Sequence, residues 1–193
     1  MLTTDNFQPG SRADVLVDLV VRLSAAEWQA AASIGEKRET LRVQRGKSPA
    51  EYRDRGGTHV ERNRIGSVAE YALAKHYGKD TLQDWCETKS YSEHHHLIPC
   101  DVGTNLHVRA TANPRGRLVG HPYDPDSGIF VLARVDATAR TVTFVGWTTG
   151  ATLKEPYNWC NTGPGFGLRP AFVIATNELQ PISTIPPEAI HGS

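Results

Sequence analysis

Cysteine is scarce in this chain: Cys86, Cys100 and Cys160 are the only three, an odd number without C-x-x-C spacing. That pattern excludes a disulfide framework and a zinc knuckle, and it suits a reducing, cytoplasmic setting. No apolar run is long enough to span a bilayer, so no membrane partner is expected. The first residues, Met1-Leu2-Thr3-Thr4-Asp5, lack the charged-then-apolar pattern of a signal peptide. Net charge is also missing. Lys and Arg together number 21, and so do Asp and Glu. A protein that coats nucleic acid through bulk positive charge is therefore disfavoured, whereas a local basic patch is not. There is no internal repeat and no low-complexity tract.

What the chain does have is ordinary globular material: 193 residues, 39% apolar and 22% charged. That suffices for one domain with a real core. Residues 1–13 are polar, contain Pro9 and Gly10, and read as a flexible arm. Asp14 to Leu23 is rich in β-branched residues and predicts a strand. Ser24-Ala25-Ala26-Glu27 follows as a capping box, in which hydroxyl and carboxylate each take the other residue's amide. A helix should run from there toward Arg45, although Gly35 weakens it. Residues 46–64 are arginine-rich and broken by Pro49, Gly56 and Gly57. A solvated surface loop accounts for that composition first; a phosphate-contacting or lid segment is the functional alternative.

Ile65 to Tyr77 predicts a second helix with one apolar face, stopped by Gly78. Beyond it come short β-like runs: Leu106–Thr111, Arg117–Gly120, Ile129–Val135, Thr141–Trp147 and Ala171–Ile174. Turn-formers separate these runs, which implies hairpins and a largely antiparallel or mixed sheet. From Pro181 the chain reads as irregular, with Pro186-Pro187 inside it. The order strand, helix, helix, strands predicts an α+β domain over residues 14–183, a central mixed sheet flanked by helices, with an irregular tail at 184–193.

Two separated acids stand out. Glu70 lies on the second helix, on a stripe with Gly66, Ser67, Leu73 and Ala74 that is mostly small or apolar. A carboxylate aimed inward needs a partner, either a metal ion or an arginine. Asp101 precedes Val102-Gly103 and should sit at the mouth of a turn. After it, His107, Arg109 and Thr111 share one face of a strand, while Val108 points into apolar packing. Phosphodiester hydrolysis at neutral pH calls for a hard divalent ion, and Mg²⁺ is content with one or two carboxylates plus a carbonyl. Arg109 could hold a phosphate oxygen or form an ion pair. His107 could be a softer metal ligand or a general base.

The order Gly66-x-x-Ala69-Glu70-x-Ala72-x-Ala74-Lys75-x-x-Gly78, then Asp101-Val102-Gly103, then His107-Val108-Arg109-x-Thr111, resembles the PD-(D/E)XK nuclease superfamily. Within that group it is similar to small phage and bacterial members. Leu23-Ser24-Ala25-Ala26-Glu27-Trp28, Val145-Gly146-Trp147 and Arg169-Pro170-Ala171-Phe172 extend the likeness over most of residues 14–183. The resemblance implies a restriction-endonuclease-like core and Mg²⁺ or Mn²⁺ as cofactor. It also implies Glu70, Asp101 and His107 as metal ligands, the Val108 carbonyl as a further one, and Arg109 in the place of the family's lysine. DNA would be the substrate and partner. His107 stands where relatives carry Glu, which lowers the site's negative charge and weakens its hold on a hard cation. The alternative function is a catalytically inactive nuclease-fold protein of phage origin, binding nucleic acid or a host or virion protein.

Other tempting features carry less. Glu87-Thr88-Lys89, with Asp84 before it, is a literal E-x-K whose spacing is too short for the usual hairpin. His94-His95-His96 cannot aim three consecutive side chains at one ion and reads as a loop with adventitious metal affinity. Cys100 reads as a small buried residue. Gly163-x-Gly165-x-Gly167 lacks the following helix and Lys-Ser/Thr of a phosphate loop.

Overall fold

A computed structural model describes residues 18–44, 59–79, 82, 83, 85, 100–161 and 170–191. Strand β1 (Leu19–Arg22) leads through Leu23-Ser24 into helix α1 (Ala25–Gln44). The capping box forms as expected: the Ser24 amide donates to Glu27 Oε2 at 2.8 Å and the Glu27 amide to Ser24 Oγ at 3.3 Å. Gly35 does not break the helix. A Cβ there would lie 2.3 Å from the Asn63 carbonyl oxygen, so the glycine permits close approach of helix α2 (His59–His76).

Helix α2 begins six residues before the expected Ile65. Its first turns pair with polar groups of α1 rather than burying an apolar stripe: Asn63 Nδ2 donates to Glu39 Oε2 at 2.8 Å, and Arg64 meets Glu36 at 3.4 Å. Hydrophobic periodicity could not have shown that segment. Gly78, with φ of 61°, ends the helix as expected.

The remaining strands are β2 (Leu106–Thr111), β3 (Leu118–Gly120), β4 (Ile129–Asp136), β5 (Thr141–Thr149), β6 (Trp159–Cys160) and β7 (Ala171–Ile174). They form a mixed four-stranded sheet in the order β1-β5-β4-β2, with β4 and β2 parallel, and a three-stranded antiparallel sheet β3-β7-β6. The fold is α+β. Along β4, Ile129, Val131, Ala133 and Val135 face one core with Val68 and Leu73 of α2. Phe130 and Leu132 face the other, with Leu118, Ile174 and Leu153 from the second layer. One face of the large sheet therefore carries the helices, and half of the other carries the small sheet.

The expected arm at 1–13 and residues 14–17 of the first strand lie outside the described residues. The irregular tail needs correction. Ile182–Thr184 forms a 3₁₀ turn and Pro187–His191 a short helix, and Ile182, Ile185, Ala189 and Ile190 are buried in the helix-side core. The paired prolines end one turn and start the next, so the segment is ordered by packing rather than by propensity. Trp147 ties it down: its Nε1 donates to the Pro181 carbonyl at 3.0 Å and to Thr184 Oγ1 at 3.1 Å.

Candidate functional site

Glu70 points inward, as its small-residue stripe implied, and is only 8% exposed. The partner it finds is Arg38 of α1. The guanidinium grips both carboxylate oxygens, Nη1 to Oε1 at 2.9 Å and Nη2 to Oε2 at 2.8 Å. This is the bidentate fork–fork geometry in which arginine and carboxylate match best.

Asp101 sits at the mouth of a tight hairpin in which Val102 pairs with Leu106. Gly103, with φ of 60°, makes the turn. A Cβ on it would press within 2.8 Å of the Ala189 and Ile190 carbonyl oxygens, so the C-terminal helix sits directly under the hairpin. Asp101 Oδ2 accepts the Val108 amide at 2.8 Å. Its negative charge also reaches Arg38. Burial alone would lower the pKa of that guanidinium; the charge of Glu70, its hydrogen bonds and the charge of Asp101 outweigh burial and hold it above its ordinary value. Arg38 thus grips the helix acid directly and feels the charge of the hairpin acid.

His107 and Arg109 lie elsewhere. Strand alternation buries Val108 on the helix side, as expected, and turns His107 and Arg109 to the opposite face of the sheet. The His107 imidazole stacks on Phe130 with ring centroids 4.8 Å apart. It lies over Gly128, where a Cβ would meet its Cδ2 at 2.9 Å. Burial first, then the nearby charge of Arg109, lowers its pKa, with Asp124 pulling the other way. Arg109 Nη2 bonds Asp124 Oδ1 at 2.8 Å, and its guanidinium carbon lies 5.1 Å from the Phe130 centroid. Asp124 Oδ2 accepts the His121 amide at 2.8 Å, and the Asp124 carbonyl accepts Lys154 Nζ at 2.7 Å. Lys154 also pairs with Asp126. This second network anchors the 121–128 loop to the sheet.

Four residues expected at one centre therefore form two pairs on opposite faces. Glu70 and Asp101 both act on the charge of Arg38, Glu70 by direct contact; His107 and Arg109 join neither. The ligand set does not fit a hard divalent ion. Both oxygens of Glu70 are held by a guanidinium, one oxygen of Asp101 holds a backbone amide, and the imidazole is across the sheet. Among the described residues, no group of three or more His, Cys, Asp or Glu side chains is placed to share a metal ion.

Sequence reasoning missed Arg38 and Asp124. An arginine partner was one of the two ways to satisfy an inward Glu70, but nothing in the spacing singled out position 38. Cys100 is buried, with Sγ donating to the Gly103 carbonyl at 3.2 Å, which agrees with a packing role. Glu87-Thr88-Lys89 with Asp84, the three histidines at 94–96, the glycines at 163–167 and the 46–58 part of the arginine-rich loop lie outside the described residues. Compared with known proteins, the chain matches no family model, no curated protein and no solved structure.

Proposed function

We propose that this chain is a binding protein rather than a hydrolase: a restriction-endonuclease-like scaffold whose helix acid is neutralised internally. The observation that carries this reading is the bidentate Arg38–Glu70 pair. A guanidinium there supplies positive charge but none of what a bound metal would supply, namely an activated water or an open coordination position. That a helix acid and a hairpin acid both act on the charge of Arg38 supports the nuclease-like ancestry. The separation of His107 from both supports loss of catalysis. Nucleic acid and a phage or host protein are the partners this reading allows.

The test is incubation of supercoiled plasmid and of branched DNA with the purified protein in Mg²⁺ and in Mn²⁺. The expected result is no cleavage by the wild type and none by His107→Glu, because position 107 faces away from Glu70 and Asp101. Metal-dependent cleavage abolished by Asp101→Ala would overturn the reading.

A further inference from the structure

The half of the large sheet's second face that the small sheet leaves uncovered has its own charge pattern. Thr111, Arg134, Thr143 and Val20 form one row across β2, β4, β5 and β1. Asp136, Thr141 and Arg22 form the next. Val20 is 58% exposed, and Arg22 is exposed beside it. The chain leaving β2 runs along this region: Arg134 Nη2 donates to the Gly116 carbonyl at 3.3 Å, and Arg115 and Arg117 on that loop are exposed. Arg140, also exposed, closes the same end in the β4–β5 turn, where its carbonyl accepts the Leu23 amide at 3.0 Å.

Arginines 22, 134 and 140 thus lie at one end of one sheet, and Arg115 and Arg117 flank it on the adjoining loop, in a chain of zero net charge. On the two rows, among the described residues, Asp136 is the sole acid. Its Oδ1 is already engaged by the amides of Thr138 and Ala139, both at 2.9 Å. Arg140 carries a second signal. Its φ of 51° makes it the one non-glycine residue with positive φ among the described residues. Glycine or asparagine would hold that turn with less strain, so an arginine there is kept at a conformational cost.

We infer that this arginine–threonine end of the sheet binds the phosphate backbone of nucleic acid. Its chemistry favours that partner over an acidic protein. Phosphate backbones are held by Arg together with Thr and Asn, and such interfaces are polar and strongly positive. Protein interfaces are centred on buried apolar or aromatic anchors. Here Val20 is the lone apolar side chain on the two rows. The surface lies across the sheet from the Glu70–Asp101 pair, so the contact is a holding one with no reacting group beneath it. The inference names the partner of the non-catalytic protein proposed above and rests on that reading.

The experiment is fluorescence anisotropy of a labelled duplex, and of a single strand of equal length, titrated with the full chain in EDTA across a series of salt concentrations. Each salt-dependent contact with a phosphate contributes about −0.9 to the slope of log K against log salt on duplex DNA, so four to five contacts predict a slope of about −4. Arg22→Glu with Arg115→Glu should weaken binding by more than about tenfold and flatten the slope by about 2. Arg140→Gly relieves the backbone, so its thermal midpoint should hold or rise while affinity falls severalfold. Lys37→Glu, exposed on α1 in the helix layer, should change little. No binding, or binding unaltered in both the arginine variants, would overturn the inference; so would competition by polyglutamate as effective as by unlabelled DNA. Gel analysis of a parallel Mg²⁺ sample separates the two claims, since cleavage defeats the non-catalytic reading and absent binding defeats only this surface.

Discussion

Arg38 and Glu70 show how much one buried pair can decide. Their side chains are 12% and 10% exposed, so both charges have given up most of their water. Such a pair adds little net stability over a well-packed apolar pair, but breaking it leaves an uncompensated buried charge. Arg38→Met alone should therefore cost about 3–5 kcal/mol. Arg38→Met with Glu70→Gln should recover a good part of that, read as a positive coupling in a double-mutant cycle of urea unfolding. Additive effects would show that the two side chains do not interact. His107 makes a second residue-scale prediction. Its folded-state pKa lies below the ordinary 6.5, so the unfolded chain takes up the proton first. The stability it confers is complete above about pH 6.5 and is lost as pH falls through the folded value. His107→Phe, which keeps a ring against Phe130, should flatten the stability profile below that pH in chemical unfolding measured from pH 7 to 5. An unchanged profile would mean that the imidazole is not the titrating group.

At the scale of elements, two short connections hold the architecture. Glu27 joins three pieces: it caps α1 through Ser24, meets Lys75 Nζ at 2.7 Å and accepts the Tyr71 hydroxyl at 3.2 Å, both on α2. Burial would raise its pKa, but the hydrogen bonds from Lys75 and Ser24 and the charge of Lys75 bring it down from 4.5 to about 2. Its contribution is present above pH 4.5 and fades as pH falls toward 2. Glu27→Gln should accordingly lower stability at neutral pH and converge with the wild type in strong acid. A constant difference across that range would refute the assignment. The hairpin at 101–106 is the other connection. Gly103→Ala meets both a left-handed backbone and the carbonyls of the C-terminal helix. It should cost about 1–3 kcal/mol and speed hydrogen exchange at the Val108 amide, which Asp101 holds. Unchanged exchange would show that the turn does not position Asp101.

Across the whole molecule, local signals were legible and long-range partners were not. The Ser24–Glu27 cap, the Gly78 stop and the β2 and β7 limits follow from short-range chemistry, and the structure reproduces them. The inward aim of Glu70 was readable from its neighbours on the helix. Its partner was not, because Arg38 lies 32 residues away on another helix and no spacing rule joins them. The start of α2 was hidden by its polar interface with α1, and the order of the C-terminal segment by its dependence on Trp147. Strand alternation correctly placed His107 and Arg109 together and Val108 opposite. What it could not say was which face would meet α2, and that alone separates two residues from the two acids.

Arg38, in the place a metal ion would take, satisfies Glu70, while Asp101 holds the Val108 amide. Titration of Mn²⁺ into the full chain, followed by calorimetry, tests that arrangement directly when run beside Glu70→Gln/Asp101→Asn. The two proteins should give the same isotherm, any residual binding belonging to other groups such as His94-His95-His96. A saturable Mn²⁺ site present in the wild type and missing from the double variant would contradict it.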